Sequence, residues 1–177
     1  QLFPNLLLQS TKEGIQLQFE VRNSLDPRIA IFEQSKTYSF LNRLFFKEGQ
    51  SLDQIGQELI IGCEQVQEII QHLNTKLPQH YGISIQLSPL FMEGTEEDIR
   101  AFYLDYFSQS YDFLDWPFPS ISEECLTDLI QLFLNAQQVS LTLSSLRQIK
   151  YTLAINLERF NKNHFIENPT PLLTSHY

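Results

Sequence analysis

"SLDQIGQELIIGCEQVQEIIQHLN", from Ser51 to Asn74, decides how the rest of the chain is read. Leu52, Ile55 and Leu59 recur at three- and four-residue spacing behind a serine suited to cap a helix. After a break at Gly62 or Cys63 a second set follows at helical spacing, Val66, Ile69, Ile70 and Leu73, which Pro78 is expected to end. The pattern predicts two helices folded across a tight turn, each with one apolar face inward.

Working outward, "KTYSFLNRLFFKEG" (Lys36 to Gly49) sets Phe40, Leu41, Leu44 and Phe45 on a helical face, with Gly49 placed for a C-terminal cap. Ahead of it Asp26-Pro27 marks a break, and "RIAIFEQS" reads as a short helix. Behind it Ile83, Ile85 and Leu87 alternate before a Ser88-Pro89 turn and a returning apolar strand. Three helices and a hairpin predict a winged helix-turn-helix over residues 27–94. Near the start Ile15, Leu17 and Phe19 alternate with Gln16 and Gln18, and Lys12-Glu13-Gly14 separates them from an earlier strand. A lone hairpin is marginal in water, so residues 1–26 are expected to be the wing of an upstream winged helix. A first residue of glutamine instead of methionine agrees with a piece of something longer.

From Thr95 the pattern is helix after helix. "TEEDIRAFYLDYFSQSY" opens on a threonine cap and an acidic first turn, then carries Ile99, Phe102, Tyr103, Tyr106 and Phe107 as an aromatic stripe. "WPFP" breaks the chain, "SEECLTDLIQLFLN" and "LSSLRQIKYTLAINLERF" predict two amphipathic helices, and "NPTPLLTSHY" reads as loop. The expected architecture is mainly α: a winged helix-turn-helix, then a helical-bundle domain over residues 95–177, with short β-hairpin wings. The aromatic residues from Phe102 to Phe118 fit either a dimer contact or an intramolecular core.

Composition narrows the function. With 177 residues, 42% hydrophobic and 19% charged, the chain is globular. It has no apolar run of membrane-spanning length and no secretory leader, so a cytoplasmic location without membrane contact is expected. Cys63 and Cys125 lie far apart, and two small buried hydrophobes are expected rather than a disulfide. The sequence holds no phosphate-cradling glycine loop, no nucleophile signature and no paired histidines at metal spacing, so no catalytic residue, metal or cofactor is assigned. A net charge of −9 rules against broad electrostatic capture of nucleic acid, so any such contact must be local.

In a helix-turn-helix the third helix meets the major groove. The outward residues of that helix are Glu64, Gln65, Gln67, Glu68, Gln71 and His72. Gln65, Gln67 and Gln71 are chemically suited to read adenine, His72 stands beside them, and Lys47 and Lys76 are cations for phosphate. Glu64 and Glu68, one turn apart, oppose a phosphate wall. Between Lys36 and Lys76 four cations face five carboxylates. Two readings stay open: a DNA-binding regulator of double-stranded DNA, weak on its own, or a protein-interaction or dimerisation module whose helix-turn-helix no longer reads DNA.

"SFLNRLFF", the quoted helix pair, "YGISIQ", "MEGTEEDIRAFYLDYF" and "WPF" occur in an order that resembles the Mga-type transcriptional regulators of Gram-positive bacteria. The resemblance covers about Lys36 to Phe118 well. It implies control of virulence or sugar-responsive genes, a helical domain like those that sense the sugar phosphotransferase system (PTS regulation domains), phosphotransferase proteins as partners, and a homo-oligomer. It also implies phosphorylation of His164. The helix that bears a phosphorylatable histidine in classical sensing domains has Lys150 or Thr152 at the candidate position here. Around Glu64, Gln65 and Glu68 family members carry serine, threonine and arginine, and this chain departs from them.

Overall fold

The computed structural model describes residues 6–11 and 14–19 as backbone, and 35–111 and 115–166 with side chains. The helix expected in "RIAIFEQS" and the loop in "NPTPLLTSHY" fall outside the described residues.

Two strands, β1 (Leu6–Thr11) and β2 (Gly14–Phe19), form the expected first hairpin, in register from Leu6 opposite Phe19 to Thr11 opposite Gly14. Three helices follow: α1 (Lys36–Phe46), α2 (Leu52–Leu59) and α3 (Cys63–Tyr81). The second starts as read from sequence. The Ser51 hydroxyl accepts from the Gln54 amide, and the Gln54 side chain accepts from the Ser51 amide, a reciprocal cap. Phe40, Leu44, Phe45, Ile55, Val66 and Ile70 close the core between the three helices. Ile69 and Leu73 pack at its margin. A hairpin of β3 (Ser84–Leu87) and β4 (Leu90–Glu93) completes a winged helix-turn-helix.

Three expectations are corrected. Pro78 lies inside α3, which runs on to Tyr81. So near the helix end, proline gives up only the bond to the Asn74 carbonyl, while buried Leu77 and partly buried Tyr81 hold the last turn to the core. The helix stops at Gly82, whose left-handed φ of +69° lets its amide reach the Pro78 carbonyl. In the wing, Ile83 and Ile85 are buried as expected, but Leu87 is 45% exposed because the strand has already reached its turn. Cys63 is half-buried and Cys125 exposed, both as free thiols, so neither serves as a core residue.

Gly94 carries the chain out of the wing at φ +152°, where a Cβ would stand 2.7 Å from Ile83 Cγ2. The helical unit follows: α4 (Glu96–Ser110), α5 (Glu123–Gln137) and α6 (Leu143–Asn161). Thr95 caps α4 by accepting from the Asp98 amide, and three acidic residues occupy its first turn. The aromatic stripe is intramolecular: Phe102, Tyr103, Phe107 and Phe118 are buried, and the Phe45 ring of α1 lies 4.5 Å from Tyr103 and 5.0 Å from Phe107. One apolar core therefore runs through both halves. Among the described residues no helix is long and apolar enough to cross a membrane.

Candidate nucleic-acid interface

The outer surface of α3 is the part of the winged helix that the core leaves open. Gln65, Gln67, Gln71, His72 and Lys76 are all exposed, as are Glu64, Glu68 and Thr75. Successive helical residues turn by about 100°, so Gln65 and Gln67 stand about 160° apart, on opposite flanks. Gln67 and Gln71 share one flank, and Gln65, His72 and Lys76 share the other. Glu64 and Glu68 run along the crest between them. The three glutamines therefore do not act from a single face, and whatever meets the helix head-on meets two carboxylates.

The wing fixes which flank is which. Asn74 Nδ2 donates to the Ile85 carbonyl at 3.0 Å, and the Ile85 amide donates back to Asn74 Oδ1 at 2.8 Å. This two-point lock clamps β3 to α3 on the flank that carries Gln67 and Gln71. Sequence reading missed it. Asn74 follows the inward Leu73, and its polar character there was the available signal. At the turn end of the wing, the Gly49 amide donates to the Leu90 carbonyl at 2.7 Å and the Leu90 amide to the Gln50 carbonyl at 3.3 Å. The wing itself, from Gly82 to Gly94, has Glu93 as its one charged residue.

Most of the cations turn away from the α3 crest. Glu58 of α2 accepts Arg43 Nε at 2.6 Å, Lys47 Nζ at 3.2 Å and Gln50 Nε2 at 3.1 Å. The hydrogen bond from Gln50, and then those cations, hold the Glu58 carboxyl below its usual range. Lys36 Nζ reaches the Leu59 carbonyl at 3.2 Å, at the negative end of α2. Lys47 is thus committed to a carboxylate, and among the described residues of this unit Lys76 is the cation with neither an ion pair nor a hydrogen bond, since Lys36, though unpaired, holds the Leu59 carbonyl. In the turn between α2 and α3, Ile60 takes a left-handed conformation (φ +55°) and is 89% exposed.

His164 lies just beyond α6 and faces the winged helix. Its Nε2 is 2.6 Å from Glu48 Oε2, and the other Glu48 oxygen takes Arg159 Nη1 at 2.5 Å. Arg159 is 1% exposed and grips Glu96 with Nε at 2.9 Å and Nη2 at 2.7 Å. Arg100 joins Glu96 at 2.8 Å, Asn156 at 3.0 Å and the His164 carbonyl at 3.0 Å. Burial pushes the Glu96 carboxyl up, but hydrogen bonds from Arg159 and Arg100 outweigh it and bring its pKa below 4.5. On α6, Lys150 pairs with Glu123 and the Thr152 hydroxyl donates to the Gln148 carbonyl at 2.8 Å.

Residues 27–107 match the Mga helix-turn-helix domain. The chain is 33% identical over 170 residues to a trans-acting regulator of Streptococcus pneumoniae serotype 4, covering 93% of this chain and 34% of that protein. It is 29% identical over 171 residues to the anthrax toxin expression trans-acting positive regulator of Bacillus anthracis, covering 96% and 35%. With the capsule synthesis positive regulator AcpB of the same organism it shares 25% over 137 residues, covering 77% and 28%. The chain thus spans about a third of the length of the curated relatives it matches. These proteins are named as regulators and not as enzymes. The match falls on the winged helix and most of α4, where the glycine junction and aromatic stripe hold the two halves together, and the chain belongs to the Mga helix-turn-helix family.

Proposed function

We propose that this chain is the DNA-binding part of an Mga-type transcription regulator in the cytoplasm, with α3 as its recognition helix. The observation that carries the reading is the intact winged helix whose α3 keeps its polar side open while Asn74 locks the wing beside it. Gln67 and Gln71, on the wing side, are the base readers, and Gln65, His72 and Lys76 border the opposite strand's phosphates. Residues 27–94 form the reader, residues 1–26 the wing of a preceding one, and residues 95–177 the start of a domain of the PTS regulation type. His164 is its phosphorylation site, with phosphotransferase-system proteins as partners and virulence or sugar-responsive genes as targets. Exposed Leu129, Leu132 and Phe133 on α5 support a homo-oligomer.

The Glu64–Glu68 crest favours a second reading, a protein-interaction module whose helix-turn-helix is silent toward DNA. Fluorescence anisotropy of the chain on labelled promoter duplex, across a salt series, separates the two. With one uncommitted cation the expected binding is weak, and its logarithmic salt slope is about 1 to 2. Replacing both glutamates with glutamine should tighten binding at least fivefold, and Gln67→Ala with Gln71→Ala should then erase the preference for the promoter over random duplex. If the double glutamine variant still ignores DNA, the interaction module is the correct reading.

A further inference from the structure

The contact between His164 and Glu48 joins residues 116 positions apart and ends in the connection between α1 and α2 of the winged helix. Glu48 has both oxygens engaged, one by Arg159 and one by His164, and its side chain is 12% exposed. The next residue, Gly49, sits at φ +80° and donates to the Leu90 carbonyl. Gln50 accepts from the Leu90 amide, and Ser51 is the cap of α2. Three consecutive residues after Glu48 thus anchor the first residue of wing strand β4 and start the helix-turn-helix. Leu90 itself is fully buried, so this anchor has little freedom to shift without the wing.

We propose that Glu48 is a positioning residue through which a change of charge at His164 reaches the wing and the start of α2. The buried Arg159, pinned by Glu96, holds Glu48 from one side, so its second oxygen registers what stands at the histidine. A negative group there repels the carboxylate at hydrogen-bond range. Glu48 then swings away, and the 49–50 anchor of Leu90 loosens with it. The proposal concerns charge at His164 of any origin, and it does not rest on phosphorylation of that residue or on DNA binding.

Amide hydrogen exchange of the full chain tests it residue by residue. His164→Glu should speed exchange at Gly49 and Leu90 at least fivefold while the α3 amides of Val66 and Ile70 keep their protection. Adding Glu48→Gln removes the repulsion, keeps an acceptor for Arg159, and should return both amides to within twofold of the parent. Unchanged exchange at Gly49 and Leu90 in the single variant, or acceleration that Glu48→Gln does not reverse, overturns the proposal. Should His164→Glu loosen every amide, His164→Asp gives the reading, since it brings the same charge on a shorter side chain. Faster exchange confined to Gly49 and Leu90 then supports the coupling, and either parental or global exchange overturns it.

Discussion

At the scale of single residues, two backbone positions carry opposite consequences for substitution. Ile60 puts a β-branched side chain in the left-handed region, where Cβ crowds the following carbonyl, and leaves that side chain 89% exposed. Glycine removes the clash at the expense of a freer unfolded chain, so Ile60→Gly should stabilise the fold by about 0.5 to 1 kcal/mol, read as a higher urea midpoint at unchanged slope. Gly94 is the reverse case. Its φ of +152° excludes an L side chain, and a methyl group would press on Ile83 Cγ2 at 2.7 Å, so Gly94→Ala should cost about 2 kcal/mol in the same titration. Both effects are invisible to residue patterning, which registers Ile60 as one more apolar residue in "LIIG".

At the scale of elements, the wing and α3 behave as one body because Asn74 satisfies both backbone groups of Ile85. Asn74→Ala leaves an amide and a carbonyl unpaired at a residue that is 2% exposed, for a loss of about 2 kcal/mol. Heteronuclear NMR should show the change centred on Ile85 and Met92, its cross-strand partner, with α1 and α2 undisturbed. Asn74→Ile should fail equally, since it restores volume without either bond. The helices themselves were legible in the sequence because apolar spacing and caps speak for the same boundaries: Ser51, Thr95 and Ser122 each cap through their own hydroxyl, as read or nearly so. Where local and tertiary forces disagree, patterning fails. Pro78 reads as a stop, yet Leu77 and Tyr81 keep the helix going. The exposed glutamines were legible as a surface, and helical rotation alone divides them into two flanks. Which flank lies beside the wing needed the Asn74 lock, and Arg159 gave no sign that a lone arginine beside Glu158 would be the most buried charge in the described chain.

At the scale of the whole molecule, what ties the winged helix to the helical unit is a shared aromatic core crossed by one charged cluster. The core alone would be indifferent to pH, whereas the cluster depends on Glu96 staying ionised between Arg159 and Arg100. In the folded chain the Glu96 carboxyl titrates below its ordinary 4.5, so the unfolded chain takes up its proton first as pH falls. The stability this carboxylate contributes is therefore fully present above that ordinary value and is lost as pH drops through the lower, folded one. Breaking it leaves a guanidinium that is 1% exposed with Glu48 as its remaining carboxylate. Glu96→Gln should accordingly cost about 2 kcal/mol at neutral pH, because a neutral amide accepts from arginine more weakly than a carboxylate. It should also flatten the decline of urea midpoints measured from about pH 7 to about pH 3, bringing variant and parent together at the acid end. Curves that run parallel over the whole range would show that the cluster is not the acid-sensitive joint, and Glu58, exposed and held low mainly by Gln50 and its cations, offers too weak a pairing to replace it.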